Sequence, residues 1–215
     1  MSYPKKLTVN KNIADSKLLP SDYYTSDQYF SKSIDKIFLK SWQYVNHESL
    51  IKHKVSPFYF MKDLIDEPYL LIKDKEFKIL SNICTHRANL LCTSCSDNQL
   101  IQCKYHGRTF NLSGNLNTAP GFEDTKNFPT KNDNLNIAPL KLWNDFIFCS
   151  VKSPINIDFI FDDINKRLKN HSFNDLVYDK SNSKTYKINA HWALYCDNYL
   201  EGFHVPFLHK GLNNE

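Results

Sequence analysis

Two short segments constrain this chain more than anything else in it: Cys84-Thr85-His86 and, after sixteen intervening residues, Cys103-Lys104-Tyr105-His106-Gly107. Each delivers one thiol and one imidazole. With Cys92 and Cys95 between them, four of the six cysteines fall within twenty residues among histidines, so metal binding is the first question. Ligand type alone would permit a tetrahedral zinc site of two cysteines and two histidines. Zinc-finger spacing, however, pairs Cys with Cys and His with His, not Cys with His twice. A chain of 215 residues with 41% hydrophobic and 14% aromatic residues buries about 70% of its unfolded surface and needs no disulfide framework.

The pattern around these segments is that of short strands. Apolar runs at Ser41 to Val45, Phe58 to Met61, Tyr69 to Lys73, Phe77 to Leu80, Leu100 to Cys103 and Asp145 to Val151 predict a small all-β module, with enough strands to close a small barrel. Before it, Thr25 to Leu39 reads as an amphipathic helix with Thr25 as cap and Phe30, Ile34, Ile37 and Phe38 on one face. After it, Ile157, Ile160, Phe161, Ile164 and Leu168 recur at helical spacing. A strand is expected over Thr185 to Ala190, and a helix over Trp192 to Phe203 that Pro206 limits. The fold class expected is α+β, in three parts: a helical segment over 1–40, the β module over 41–153, and the start of a second domain over 154–215.

Composition removes several function classes. The formal charge is only +4, and three of the 27 basic residues are arginine (Arg87, Arg108, Arg167), scattered rather than clustered, which argues against nucleic acid. Five glycines, Gly107, Gly114, Gly121, Gly202 and Gly211, lie too far apart for a phosphate-cradling loop, so a flavin or nicotinamide domain is not expected. No signal-peptide or membrane-span stretch is present, and a soluble cytoplasmic protein with no membrane partner is expected.

The run Cys84-Thr85-His86-Arg87 with Cys103-Lys104-Tyr105-His106-Gly107 resembles the Rieske iron-sulfur motif. The resemblance implies one 2Fe-2S cluster, with Cys84 and Cys103 on one iron and His86 and His106 on the other. Replacing two thiolates by neutral imidazoles lowers the negative charge around the irons and raises the potential. Respiratory-chain Rieske proteins carry an additional disulfide whose positions here are Asn89 and Tyr105, so the likeness is to the oxygenase and ferredoxin branch. Cys92-x-x-Cys95 reads as reduced, non-catalytic thiols, while Cys149 and Cys196 read as small buried hydrophobes. His47, His53, His171 and His191 read as surface or helix-end histidines.

A second constellation lies in Asp197-Asn198-Tyr199-Leu200-Glu201-Gly202-Phe203-His204-Val205-Pro206-Phe207-Leu208-His209. His204 and His209 could supply two positions of a mononuclear non-haem iron(II), with a carboxylate as third ligand. A di-iron bundle would need a second Glu-x-x-His beside Glu201 and His204, and there is none. The segment is similar to the large (alpha) subunit of Rieske non-haem iron oxygenases, choline-monooxygenase-like members above all. That likeness implies that Glu201 is the catalytic acidic residue linking the cluster of one subunit to the iron of its neighbour.

Family members continue into a helix-grip-type catalytic domain that holds the third iron ligand, so this chain reads as a fragment or a truncated form. The resemblance implies a terminal oxygenase fed by an NAD(P)H-dependent reductase or a ferredoxin, a homotrimer in full-length form. Its substrate would be a small quaternary amine, or else an aromatic ring. The competing class is a Rieske electron-transfer protein with no oxygenase activity of its own.

Overall fold

The structure is a computed structural model that describes residues 6–152 and 154–214; the outermost positions of the expected segments, at 1–5, 153 and 215, lie outside it. The chain forms two units, one from Lys36 to Tyr178 and one made of the segments up to Asp35 and from Asp179 onwards.

The first unit holds ten strands: β1 (Gln43–His47), β2 (Val55–Phe60), β3 (Glu67–Lys73), β4 (Phe77–Ser81), β5 (Leu100–Gln102), β6 (Thr109–Asn111), β7 (Leu116–Thr118), β8 (Ile137–Ala138), β9 (Leu140–Trp143) and β10 (Phe146–Cys149). They do not close into the barrel their number would allow. They form three antiparallel sheets, ordered β1-β10-β9, β2-β3-β4-β8 and β5-β6-β7.

The reason lies in β3, whose run Tyr69-Leu70-Leu71-Ile72 is apolar on both faces and buried throughout. Because side chains alternate across a strand, Leu70 and Ile72 point one way with Leu80 of β4, into a core shared with Ile101 of β5 and Phe110 of β6. Tyr69 and Leu71 point the other way with Ile79, into a core shared with Ile147 and Cys149 of β10. A sheet apolar on both faces is satisfied by a layer on each side, not by closing on itself.

Gly114, in the turn between β6 and β7, has φ +85°, and a Cβ there would come within 3.0 Å of Leu80 Cδ2. Close approach of this turn to β4 therefore needs glycine. Leu70→Ala is expected to cost about 2–5 kcal/mol, because the cavity opens in a layer that cannot collapse. Half-exposed Leu142→Ala should cost under about 0.5 kcal/mol; urea midpoints at unchanged slope measure both.

The same unit carries a helix over Asp158–Arg167, where expected, but of its apolar residues only Phe161 is buried, stacked on Trp143 with ring centroids 5.0 Å apart. The helix expected over Thr25 to Leu39 is shorter: α2 (Asp27–Lys36) follows a separate single turn, α1 (Asp22–Thr25), and ends before Ile37 and Phe38. Ser26 intervenes in an extended conformation, and its hydroxyl, not that of Thr25, accepts from the Gln28 N–H. The buried residues of α2 are Tyr29 and Ser33, while Ile37 is exposed.

The helix of Asp158–Arg167 is α3, and two more follow it: α4 (Trp192–Leu200) and α5 (Val205–Leu208). Thr185 to Ala190 forms no strand, because no partner strand lies beside it among the described residues. Two histidine and cysteine expectations change, at His47 and Cys196, while those at Cys149 and His191 hold. His47 is buried, with Nδ1 2.8 Å from Ser49 Oγ. Cys196 is exposed on α4, whereas Cys149 is buried as expected. His191 is a helix-end residue, its Nδ1 accepting the Ala193 N–H at the start of α4.

Candidate metal centre

Both thiol and imidazole segments are loops with one backbone design. In the first, the Cys84 N–H donates to Asn89 O (2.8 Å) and the Ala88 N–H to Cys84 O (3.0 Å). In the second, the Cys103 N–H donates to Arg108 O (2.8 Å) and the Gly107 N–H to Cys103 O (3.1 Å). Each loop thus closes through the residues four and five after its cysteine, and the fourth has positive φ in both: Ala88 at +51° and Gly107 at +76°. Glycine adopts this without penalty. At Ala88 it costs about 1–2 kcal/mol, held by the surrounding hydrogen bonds. In each loop two further N–H groups turn toward the sulfur, those of His86 and Arg87 toward Cys84 and those of Tyr105 and His106 toward Cys103. Such N–H nests stabilise negative charge.

The two loops meet. Cys84 and Cys103 belong to the same buried core cluster, and each thiol acts on the ionisation of the other. Asn89 adds an amide N–H 3.7 Å from Cys103 Sγ. Burial pushes the Cys84 thiol up, reinforced by its cysteine neighbour. Burial pushes Cys103 the same way, but the N–H groups of Tyr105 and His106, the Cys84 thiol and the Asn89 amide outweigh it and hold Cys103 below the usual thiol range. The rings of His86 and His106 lie 4.8 Å apart, and burial followed by the Arg108 charge holds His86 neutral to lower pH than usual. His106 is exposed, with the exposed Tyr105 ring tilted over it at 3.8 Å.

These residues fit a cluster of the kind the sequence implies. Nδ1 of His86 is buried with no hydrogen-bond partner, which is costly for an imidazole unless a metal takes its lone pair. Two buried unpaired thiols in N–H nests and two adjacent imidazoles are the donor set that a histidine-ligated iron-sulfur centre requires.

Arg108, Asn89 and Ala88 did not stand out in the sequence. Ala88 could have been found from its equivalence to Gly107, since both are the fourth residue after a ligand cysteine.

The second constellation is local to one turn. Glu201 ends α4 in an extended conformation and His204 begins α5. One carboxylate oxygen of Glu201 pairs with His204 Nδ1, and the other accepts the Phe203 N–H at 2.6 Å. The His204 hydrogen bond, ahead of the other causes, holds the Glu201 carboxyl below its ordinary range. His209 closes α5, with its ring centroid 5.3 Å from that of His204. Among the described residues no group of three or more His, Cys, Asp or Glu converges as a single metal ion requires, so no third protein donor converges with His204 and His209. Asp197 of α4 accepts a 2.6 Å hydrogen bond from the Tyr24 hydroxyl, fastening α1 to the helix that precedes the pair.

A family model for the Rieske [2Fe-2S] domain matches residues 41–129, which include both loops and strands β1 to β7. The chain carries a Rieske domain, with the mostly β fold and few helices of Rieske oxygenase alpha subunits. It is a homologue of the oxygenase subunits of choline and carnitine monooxygenases, which are oxidoreductases. It is 32% identical to the chloroplastic choline monooxygenase of Beta vulgaris over 91% of this chain and 45% of that one. It is 28% identical to the carnitine monooxygenase oxygenase subunit of Escherichia coli (strain K12) over 94% and 55%.

The crystal structure of the quaternary ammonium Rieske monooxygenase CntA with L-carnitine matches with a TM-score of 0.71 and 25% identity, over 91% of this chain and 56% of that one. Naphthalene 1,2-dioxygenase from Rhodococcus sp. shares the fold, with a TM-score of 0.66 at 22% identity over 90% and 46%. The chain spans about half the length of the curated relatives it matches.

Proposed function

We propose that this chain belongs to the oxygenase subunit of a Rieske monooxygenase that hydroxylates a small quaternary amine. Cys84, His86, Cys103 and His106 would hold a 2Fe-2S cluster, and His204 and His209 two positions of a mononuclear iron(II). When bound, the cluster accepts and passes on single electrons and the mononuclear iron activates dioxygen. The chain's own residues prepare for this. The N–H groups at Cys103 hold it toward thiolate, those at Cys84 partly offset the upward push of burial, and burial keeps His86 as the neutral imidazole that a metal needs. Glu201 fixes the His204 ring by holding Nδ1, which leaves Nε2 as the ligand atom.

The single observation carrying the reading is the meeting of two Cys-and-His loops of one design around a buried, unpartnered His86 Nδ1. Exposure of His106 supports electron entry from a separate NAD(P)H-dependent reductase or ferredoxin. In a homotrimer, Glu201, hydrogen-bonded to His204 of its own chain, would be the residue linking this iron site to a neighbouring subunit's cluster. No helix among the described residues is long and apolar enough to cross a membrane. Six unpaired cysteines support a reducing compartment, and we place the protein in the cytoplasm.

Anaerobic reconstitution with iron and sulfide tests the cluster. About two irons and two acid-labile sulfides per chain, with the visible absorption and reduced-state electron resonance of a histidine-ligated centre, are expected. A colourless protein that binds only zinc would refute it. Substrate class is read in the assembled oxygenase with its reductase. Choline, L-carnitine and γ-butyrobetaine should each be tried against naphthalene. Oxygen uptake coupled to a hydroxylated amine supports the proposal, and turnover of naphthalene alone replaces the amine with an aromatic ring.

A further inference from the structure

The side chain of Arg108, two residues after His106, is only 5% exposed. Burying a guanidinium costs several kcal/mol unless other groups compensate, so its partners have to be accounted for one by one. Nη1 lies 3.4 Å from Asp133 Oδ1 and 3.4 Å from Thr85 Oγ1, inside the first ligand loop. The Thr85 hydroxyl in turn donates to Asp133 O at 2.8 Å. Asp133 is held independently: its other carboxylate oxygen accepts from the Thr130 N–H (2.9 Å) and hydroxyl (3.0 Å) in a capping box over Lys131–Asp133.

The flat face of the guanidinium rests on two rings, with Cζ 4.9 Å from the Phe122 centroid and 5.3 Å from that of Phe128. Phe122 then meets His86 edge to face at 5.5 Å. Arg108 O accepts the hydrogen bond that closes the second loop at Cys103. One residue therefore touches both ligand loops and the turn that braces them.

The compensation is incomplete. Nε of Arg108 is buried with no hydrogen-bond partner, and among the described residues the carboxylate paired with the guanidinium is that of Asp133, at 3.4 Å and itself 20% exposed. The buried guanidinium is therefore screened less by water than its more exposed carboxylate partner, and beside the metal loops it acts through a lower dielectric than water.

We infer that Arg108 is a positioning residue of the metal centre that also sets its potential. With Asp133 it locks both ligand loops to the 130–133 turn, and its partly compensated charge favours the reduced cluster. The inference rests on the cluster reading above. Reduction adds one electron and no protein bond changes, so the reduced centre carries one more negative charge and gains more from a nearby cation than the oxidised one.

The test is a mediated redox titration of the iron- and sulfide-loaded chain, read by visible absorption and electron resonance, on the parent and on Arg108→Gln, Arg108→Lys and Asp133→Asn. Arg108→Gln should lower the reduced-to-oxidised ratio at fixed ambient potential about tenfold, a fall of about 59 mV for a one-electron couple. Arg108→Lys keeps the charge and should recover most of that loss. Asp133→Asn removes the opposing charge and should move the ratio the other way. A purely structural role would loosen the loops alike in Arg108→Gln and Asp133→Asn, giving shifts of one sign.

Equal signs, or a parent-like potential in a fully loaded Arg108→Gln, overturn the inference. If Arg108→Gln loads no cluster, Arg108→Lys and Asp133→Asn decide: a parent-like Lys variant with a raised Asn variant upholds it, and an unmoved Asn variant overturns it. A parent chain that loads no cluster refutes the cluster reading instead, so the two failures are distinguishable.

Discussion

Cys84→Ser should empty the metal centre: in the reconstituted chain, iron falls from about two per chain to near none and the visible absorption disappears. The serine hydroxyl is nearly isosteric but does not ionise at neutral pH, and the buried position of Cys84 beside Cys103 gives it no water to recruit in its place. A ligand that binds only the folded state also stabilises that state, so the variant should unfold at lower temperature than the loaded parent and near the metal-free parent. Cys92→Ser and Cys95→Ser are the controls. Cys95 is exposed and Cys92 half-buried, and both are unpaired, so each variant should keep iron, sulfide and colour. Equal loss of iron from the Cys95 variant and the Cys84 variant would mean that the ligand set has been misassigned.

In the assembled oxygenase, Glu201→Ala should weaken iron at the second constellation by about 10–100-fold, measured by iron content against chelator, and leave the cluster spectrum unchanged, because removal of a hydrogen-bond partner that orients a ligand imidazole has costs of that order. The carboxylate holds His204 Nδ1 and the Phe203 N–H together, and a methyl group does neither. His204→Ala removes a ligand outright and should abolish this iron while the cluster irons stay. Glu201→Gln keeps an acceptor oxygen and should fall between the parent and the alanine variant.

In the assembled oxygenase, Glu201→Ala should cut turnover far more than iron content once iron is supplied in excess, if the carboxylate bridges two subunits. Retained turnover would remove it from that path. The sign of the pH dependence follows from its lowered carboxyl. The bond to His204 is present above the ordinary carboxylate range and is lost only as pH falls through the lowered value.

Much of the Rieske module was legible because its signals are local. A ligand pair such as Cys84-Thr85-His86 is a statement about donor chemistry that no packing can alter. The apolar run Tyr69-Leu70-Leu71-Ile72 reads as a fully buried strand whatever lies on either side. The short strands β6 to β9 were missed because two to four residues carry too little periodicity to separate them from turns. Thr185 to Ala190 failed in the opposite sense. Its alternation suits a strand, but a strand exists only through a partner, and among the described residues none pairs with it.

The amino-acid sequence by itself named the candidate metal donors: two thiols and two imidazoles in the β module, and His204 and His209 beyond it, with Glu201 as the candidate linking acid. Spacing within each motif is enough for that, because neighbouring residues in a tight loop cannot be far apart. Only the tertiary structure decided that Cys84 and Cys103 share one core, that Ala88 copies the backbone of Gly107, and that Arg108 reaches the first loop through Thr85 and Asp133. Those contacts join residues up to 48 positions apart, from Thr85 to Asp133. They arise because β3 buries both of its faces, and the layers that cover it set where the loops must meet.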